Sequence, residues 1–276
     1  MLRTLKKCIP HVILLAYLLV ILFPFLFVLF SSVKKNNLEI ALNPFGIPKE
    51  FVFDNYIEAW VNAKISTYFF NSMYIAIFAS VVTILLGSMF AFAVTRMRQG
   101  KWNGILFSLV LVGMLIPNNA LMLPIYTIVR KLGILNTHWA LIIPYIANAI
   151  PFTVIILAAF MRILPREIEE AAVMDGLNAP GIFARIIVPL TVPAMVTVFI
   201  VNFLGNWNEF LLANYFLSND ELRTLPVGMV QFRDQYQMNY AQMSAGIVYS
   251  VLPVVIIYAF LQEKIIEGLT AGSVKG

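Results

Sequence analysis

Amide and carboxylate side chains interrupt an otherwise apolar stretch in the last third of the chain. Asn202, Asn206 and Glu209 are separated by four and three residues, so they would share one face of a helix. Trp207 and Asn208 accompany them on other faces. Amides and carboxylates form hydrogen bonds with hydroxyl groups, and an indole ring stacks on apolar surfaces. The cluster indicates either a pathway for a sugar or a contact between packed helices, with Glu209 among the outer headgroups as a third interpretation.

Three further asparagines lie beside prolines in apolar runs. Asn118 and Asn119 follow a proline, and Asn148 lies between Pro144 and Pro151. A proline inside a membrane span frees backbone carbonyls, which is tolerated where they face protein or a wet cavity. Amide side chains are unfavourable against lipid, so these asparagines should point inward. We expect both regions to interrupt their helices, with the amides lining a pathway or bonding between helices.

Motifs for catalysis and for metal or nucleotide binding are absent from the sequence. No G-x-x-x-x-G-K-[ST] loop is present to hold ATP phosphates. His11 and His138 lie at the ends of apolar runs and Cys8 is the single cysteine, so no metal spacing and no Ser–His–acid set is evident. We therefore expect no enzymatic activity, no metal site and no cofactor bound by this chain.

The elements that position these side chains are predicted to be membrane-spanning helices. The chain is 61% hydrophobic and 12% charged over 276 residues, whereas soluble domains carry about 25% charged residues. Six apolar runs are long enough to cross a bilayer, which predicts an all-α membrane protein with one transmembrane domain over residues 1–276. The spans are placed at about 9–33, 68–95, 103–129, 138–161, 186–212 and 244–262.

Basic residues near the span ends predict the orientation. Eleven of the nineteen Lys and Arg residues, with six of the fourteen acids, fall on the side of the N-terminus. The eight remaining bases and eight remaining acids cancel in the longer loops of the other side. Excess positive charge marks the cytoplasmic side, so both termini and the 162–185 loop are expected there. The net charge of +5 follows from this asymmetry and does not indicate nucleic-acid binding.

The 162–185 loop is predicted to contain a helix, a turn and the start of a second helix. Its acids gather in the first turns, where carboxylates favour the positive end of the helix dipole. Gly176 is suited to a left-handed stop, and Asn178 with Pro180 can restart a helix. A narrow face of mostly small residues, shaped to fit a groove in another protein, is formed by Ile168, Ala171, Ala172 and Asp175. An amphipathic linker on the membrane surface is the alternative.

These residues resemble the EAA loop of ABC-importer permeases. The matching positions are Glu170-Ala171-Ala172, Asp175-Gly176, Ile186 and Pro189-Leu190, with Val188 in place of the family's leucine before Pro189. The segment LPREIEEAAVMDG and the ending GLTAGSVKG are similar to the sugar-importing, maltose-type subfamily. The resemblance covers nearly the whole chain. It implies the type I importer permease fold, with cytoplasmic coupling helices between the fourth and fifth spans.

The resemblance also implies contacts with other proteins. A separate ATPase would contact the loop through Glu167, Glu170, Ala171, Ala172, Asp175, Gly176, Ile186 and Pro189. The C-terminal tail would reach the ATPase through Gly268, Thr270, Gly272 and Lys275. A loop entering the docked binding protein would include Gln235, Tyr236, Asn239 and Tyr240.

The implied function is that of one permease subunit in the cytoplasmic membrane of a bacterium or archaeon. A homologous second permease, two ATPase subunits carrying ATP and Mg²⁺, and an extracellular or periplasmic binding protein would complete an alternating-access sugar importer. Related importers of polyols or glycerol phosphate have similar subunits. Two other hypotheses are an ion-coupled transporter with Glu209 as its proton site and a structural membrane scaffold.

Overall fold

The structure, a computed structural model, describes residues 2–97, 100–235 and 239–271. All regular secondary structure in these residues is helical. Side-chain environments are described for 9–97, 100–230 and 239–262. The α-helices are α1 Leu2–Ser32, α2 Asn37–Leu42, α3 Asp54–Val61, α4 Ile65–Arg96, α5 Lys101–Gly113, α6 Met122–Lys131, α7 Trp139–Ile163, α8 Glu167–Met174, α9 Ala179–Ile182, α10 Val188–Trp207, α11 Leu211–Phe216, α12 Leu225–Gln235 and α13 Tyr240–Ala271. Shorter elements are the 3₁₀ turns Asn118–Leu121 and Asp220–Leu222 and a π-helical segment, Phe183–Ile187.

Five helical segments within the described residues have the length and apolar character to cross a membrane. They are Ile9–Ser32, Ile65–Arg96, Trp139–Ile163, Ala179–Trp207 and Tyr240–Gln262. A sixth span is obtained if α5 and the segment Asn118–Lys131 are counted as one broken span. The chain bends by 88° between these two parts. The break lies at Pro117, as expected, because proline cannot donate the next helical hydrogen bond.

The predicted interruption in the fourth span is wrong. Helix α7 continues from Trp139 to Ile163 through both Pro144 and Pro151. Pro144 is buried, and Gly113 at the end of α5 lies so close to Pro151 that an added Cβ would be 3.4 Å from the proline ring. Packing by neighbouring helices is the setting in which a membrane helix tolerates proline.

Two other predicted boundaries differ from the structure. The fifth span does not continue to residue 212, because α10 ends at Trp207 and the chain is non-helical until Leu211. The last helix is longer than 244–262 and runs to Ala271. Gly268 and Thr270, assigned from sequence to a tail after the last span, therefore belong to α13, whereas Gly272 and Lys275 lie outside the described residues.

The chain divides into two compact units. The first comprises Met1–Phe69 and Leu225–Pro253, and the second comprises Phe70–Thr224 and Val254–Gly276. In the first unit, the buried amide of Asn55 donates to the carbonyls of Ser32 and Lys34 at 3.0 and 2.9 Å. The Lys34 ammonium donates to the carbonyls of Asn43 and Pro44. The segment after α1 is thus held by side chains that satisfy backbone groups.

The second unit has an apolar core at one end. Ala91 and Phe92 of α4, Leu157 and Met161 of α7, and Ala172 of α8 belong to one buried cluster. The cluster also includes Ala158, Ile182, Ile187, Ala194 and Val198, so α9 and α10 contribute as well. Small residues let helix backbones approach closely in such cores. This end of the unit, where α4 and α7 both finish beside α8, is called the α8 end below.

The opposite end of the second unit is joined by hydrogen bonds to backbone. Asn71, near the start of α4, donates from its amide to the carbonyls of Glu221 and Arg223 at 2.8 and 2.9 Å. Asn136 has φ of +59° and accepts from the N–H groups of Ser218 and Asn219. The Asp220–Leu222 turn is therefore tied to the starts of α4 and α7.

Gly176 provides the first test of the structure. It has φ of +82°, so a side chain there is strained. We expect Gly176→Ala to lower the free energy of unfolding by about 1 kcal/mol in detergent micelles, because L-residues disfavour this left-handed conformation. The control is Gly104→Ala inside α5, where no atom lies within 4 Å of an added Cβ. Alanine there should raise the same quantity by about 0.5 kcal/mol. Equal effects of the two substitutions would contradict the assigned turn.

Candidate functional site: a polar cavity between α7, α10 and α11

A cavity of about 300 Å³ lies within the second unit, and its wall combines the two asparagine regions with the polar end of α10. Its apolar lining is Met122, Ala149, Val201, Gly205, Leu211 and Leu212. Its polar lining is Asn118, Asn119, Tyr145, Asn148, Asn202, Asn206 and Glu209. The structure thus brings together six of the eight residues assigned from sequence to a solute pathway.

Glu209 is not on a helix with Asn202 and Asn206, contrary to the predicted helical face. It lies in the break between α10 and α11. One carboxylate oxygen accepts from the Leu212 N–H at 2.7 Å, and the other accepts from the Ala213 N–H at 3.1 Å and from the Tyr145 hydroxyl at 2.6 Å. The carboxylate therefore satisfies N–H groups at the start of α11 that have no partner within the helix.

Asn202 and Asn206 also bond within the chain. The Asn202 amide donates to the Thr153 hydroxyl of α7 at 3.0 Å, and the Asn206 amide donates to the Ser80 hydroxyl of α4 at 3.2 Å. These bonds join α10 to its two neighbours. The hydrogen-bonding interpretation of the cluster and the cavity-lining interpretation are therefore both represented in the structure.

Asn118, Asn119 and Asn148 differ from the other polar residues of the cavity. None of their side-chain amides forms a hydrogen bond with another residue that the structure describes. Each amide offers two donors and one acceptor oxygen. The cavity lining thus combines polar groups that are already bonded with three amides that are available to a ligand.

Trp207 and Asn208 do not line the cavity. Trp207 is buried and its ring is stacked on Phe203, with 5.8 Å between centroids and 17° between planes. Asn208 is exposed and donates to the Leu204 carbonyl at 2.8 Å. The expectation that this tryptophan offers its ring to a solute is therefore wrong for this conformation, because the indole contributes to the core.

Tyr145 is a cavity residue that the sequence analysis did not identify. It lies three residues before Asn148 on α7, so the two share a helical face. That spacing was a usable signal, because a tyrosine in a span needs a partner for its hydroxyl. The partner itself, 64 residues away, is visible only in the structure.

Helix α8 places the predicted coupling residues on two different faces. Glu167, Glu170, Ala171 and Asp175 are exposed, whereas Ala172 is only 3% exposed and belongs to the apolar cluster. The expectation that Ala172 fits into another protein is therefore wrong: its methyl group packs inside this chain. Gly176 ends the helix as predicted, and the Asn178 side chain accepts from the Gly181 N–H at 3.0 Å to begin α9. In the following helix, Ile186 is half-buried and Pro189 is exposed.

The residues assigned to a binding-protein loop are only partly described. Tyr236 and the side chain of Gln235 lie outside the described part of the chain. Asn239 caps α13, because its side-chain oxygen accepts from the N–H groups of Ala241 and Gln242. The Tyr240 N–H donates to the Asn37 side chain at 2.8 Å.

Comparison with known proteins gives the family. A family model described as "Binding-protein-dependent transport system inner membrane component" matches residues 83–268, about two thirds of the chain. The chain belongs to this family. The resemblance to permease subunits, inferred from the sequence, is thereby confirmed. The ion-coupled and scaffold hypotheses are set aside, because members are components of binding-protein-dependent transport systems rather than ion-coupled carriers, scaffolds or enzymes.

Individual relatives match the sequence of this permease along nearly its whole length. The probable ABC transporter permease YurM of Bacillus subtilis is 36% identical, and the match covers 96% of this chain and 87% of that protein. The arabinooligosaccharides transport system permease AraQ of the same organism is 35% identical, with coverage of 94% and 92%. A chain of a bacterial ABC transporter for alginate import has the same fold, with a TM-score of 0.83, 22% identity and coverage of 94% and 96%. The predicted type I importer permease fold is confirmed.

The role of Glu209 as a cap within the permease can be measured by a double-mutant cycle. Glu209→Gln leaves one acceptor oxygen for three donors, and Tyr145→Phe removes one donor. We expect each substitution to lower the free energy of unfolding by about 1–3 kcal/mol, since a buried donor or acceptor loses its partner. The double variant should cost less than the sum of the two single changes. Additive losses would show that the hydroxyl and carboxylate do not interact.

Proposed function

We propose that this permease carries an uncharged sugar or oligosaccharide through the cavity lined by Asn118, Asn119 and Asn148. The single observation that carries the proposal is the set of three amides that have no partner in the part of the chain that the structure describes, near a carboxylate that is already bonded. Amides with both donors and acceptors suit hydroxyl groups, which also have both. The relative AraQ, named for arabino-oligosaccharides, supports a saccharide as the solute.

The charge of the cavity favours a neutral solute over glycerol phosphate. The lining residues that the structure describes include no lysine or arginine, so they offer no cation to pair with a phosphate or carboxylate. Glu209 would repel an anion in addition. A polyol is neutral as well, and it is therefore the second candidate that the transport assay must separate from a sugar.

We propose further that the exposed face of α8 docks on a separate ATPase. Met174 is 87% exposed and Val173 57% exposed, which is unfavourable in water for large apolar side chains. Glu167, Glu170 and Asp175 surround them and form no ion pair with any described residue. The complementary partner surface would be an apolar groove with basic residues at its rim. ATP and Mg²⁺ would be bound by that ATPase and not by this chain.

The proposed assembly contains one further homologous permease, two ATPase subunits and a binding protein on the outer side. The α8 end would face the cytoplasm, as the basic residues predict. The most apolar part of Ile9–Ser32 has no buried residue, so this span is available to lipid or to the second permease. ATP binding would close the ATPase pair, displace α8 and turn the cavity outward, and hydrolysis would reset it.

The solute assignment is tested by removing one free amide at a time. Asn119→Ala and Asn148→Ala should each reduce ATP-dependent uptake of a neutral oligosaccharide such as maltotriose about fivefold, which corresponds to one lost hydrogen bond of about 1 kcal/mol. The matched control is Asn214→Ala, an exposed asparagine of α11 outside the cavity. Uptake of sorbitol instead of the sugar would favour the polyol, and uptake of glycerol 3-phosphate would overturn the neutral-solute assignment.

The docking assignment is tested by two adjacent alanines that face opposite ways. Ala171→Asp adds a charge on the exposed face, so we expect normal amounts of folded permease but about tenfold less co-purified ATPase, a loss of about 1.4 kcal/mol in affinity. Ala172→Asp buries an unpaired carboxylate, so the yield of folded permease itself should fall. Normal ATPase co-purification with Ala171→Asp would contradict the proposed face.

A further inference from the structure

Arg96, the last residue of α4, is buried at the α8 end of the second unit. Its side chain is 4% exposed, and its Nε lies 3.1 Å from the Oε1 of Glu169 on α8, which is 17% exposed. The Nη2 group donates to the carbonyl of Leu164 at 2.9 Å and also to the carbonyl of Met161. One guanidinium thus contacts three elements: the end of α4 that carries it, the end of α7, and α8.

The contact with Glu169 is a buried charge pair, and the directional hydrogen bonds of the guanidinium go to the end of α7. A guanidinium is planar and always charged, and its N–H donors point in fixed directions. The carbonyls of Met161 and Leu164 lie at the C-terminal end of α7, which is the negative end of its dipole, so a buried cation is stabilised there. Glu169 neutralises the charge. Each of the two charged side chains would be costly to bury without the other.

Among the described residues, α8 is joined to α4 by the apolar cluster, which contains Ala172 of α8 with Ala91 and Phe92 of α4, and by Glu169 beside Arg96. The chain connects α8 directly to α7 through Leu164, Pro165 and Arg166, and to α10 through α9, but not to α4. The inner face of this eight-residue helix consists of Ala172 in the apolar cluster and Glu169 beside Arg96. The other acids of α8 are exposed and are assigned above to docking.

We propose that Arg96 is a positioning residue that joins α8 to α4, so that a displacement of α8 is passed to α4 as well as to α7 and α10. The proposal rests on the proposed function, in which an ATPase displaces α8. The Ser80 hydroxyl of α4 accepts from Asn206 at the cavity, so α4 leads from the junction to the solute site. Without the junction, the ATPase would still bind and hydrolyse ATP, but the motion would reach only part of the cavity wall.

The test compares Arg96→Gln, Glu169→Gln and Arg96→Lys in the complete transporter, reconstituted in lipid vesicles with its ATPase and binding protein. We expect the two glutamine variants to keep the ATPase and its hydrolysis rate while the solute transported per ATP falls about tenfold, within the range of measured coupling effects. Arg96→Lys should recover part of this ratio, because it keeps the charge beside Glu169. The matched control, Arg162→Gln, removes an exposed arginine that lies over the Phe107 ring, 4.8 Å from its centroid, and should leave the ratio unchanged.

Distances within the unmodified junction provide a second measurement, which does not depend on whether the variants fold. Nitroxide labels are placed at Arg166→Cys, the exposed N-cap of α8 outside the docking face, and at Met89→Cys, an exposed residue of α4, after Cys8→Ser. With Arg96 and Glu169 intact, the label separation should be the same with and without ATP, and Glu169→Gln should broaden it. A separation that changes with ATP in the intact junction would overturn the proposal, as would an unchanged transport ratio in both glutamine variants or loss of ATPase binding in them. Failure of the proposed function is distinguishable, because the unsubstituted transporter would then show no ATP-dependent sugar uptake.

Discussion

A polypeptide that breaks its helices within an apolar layer must supply partners for its own exposed backbone groups, because hydrocarbon offers none. This permease breaks its backbone between α10 and α11, and Glu209 supplies the partners there through both carboxylate oxygens. Tyr145 then holds that carboxylate from α7. The break and its cap, together with α7 and α10, form the lining of the cavity.

The cap changes the chemistry that the cavity can perform. A carboxylate that already accepts from three donors has little capacity left for a sugar hydroxyl, so the role that its residue type suggests passes to other polar residues of the lining. Among these, Asn118, Asn119 and Asn148 have no partner within the described residues. In the proposed function, the bonded groups maintain the shape of the site and the available amides recognise the solute. This separation is what makes a neutral, hydroxyl-rich solute the best match.

Helix α8 shows a similar separation between an inner and an outer face. Ala172 and Glu169 attach it to its own chain, whereas Met174 and the exposed acids face outward. A short helix with one small buried contact would be loosely held without the buried ion pair to Arg96. The arginine joins the end of α4 to the end of α7. In the proposed mechanism, α8 and the helices that surround the cavity therefore move together.

The sequence alone determined the all-helical membrane class, the broken third span, the turn at Gly176 and the family, because length, hydropathy, proline and glycine act locally along the chain. Helical spacing also placed Asn202 and Asn206 on one face. Only the tertiary structure decided which faces pack: it buried Ala172 and Trp207, moved Glu209 from a helix to a cap, and revealed Tyr145 and Arg96. Periodicity states which residues lie together on a helix, but not what they meet. The partners of Tyr145 and Arg96 are 64 to 73 residues distant in sequence, so the fold alone can bring them together.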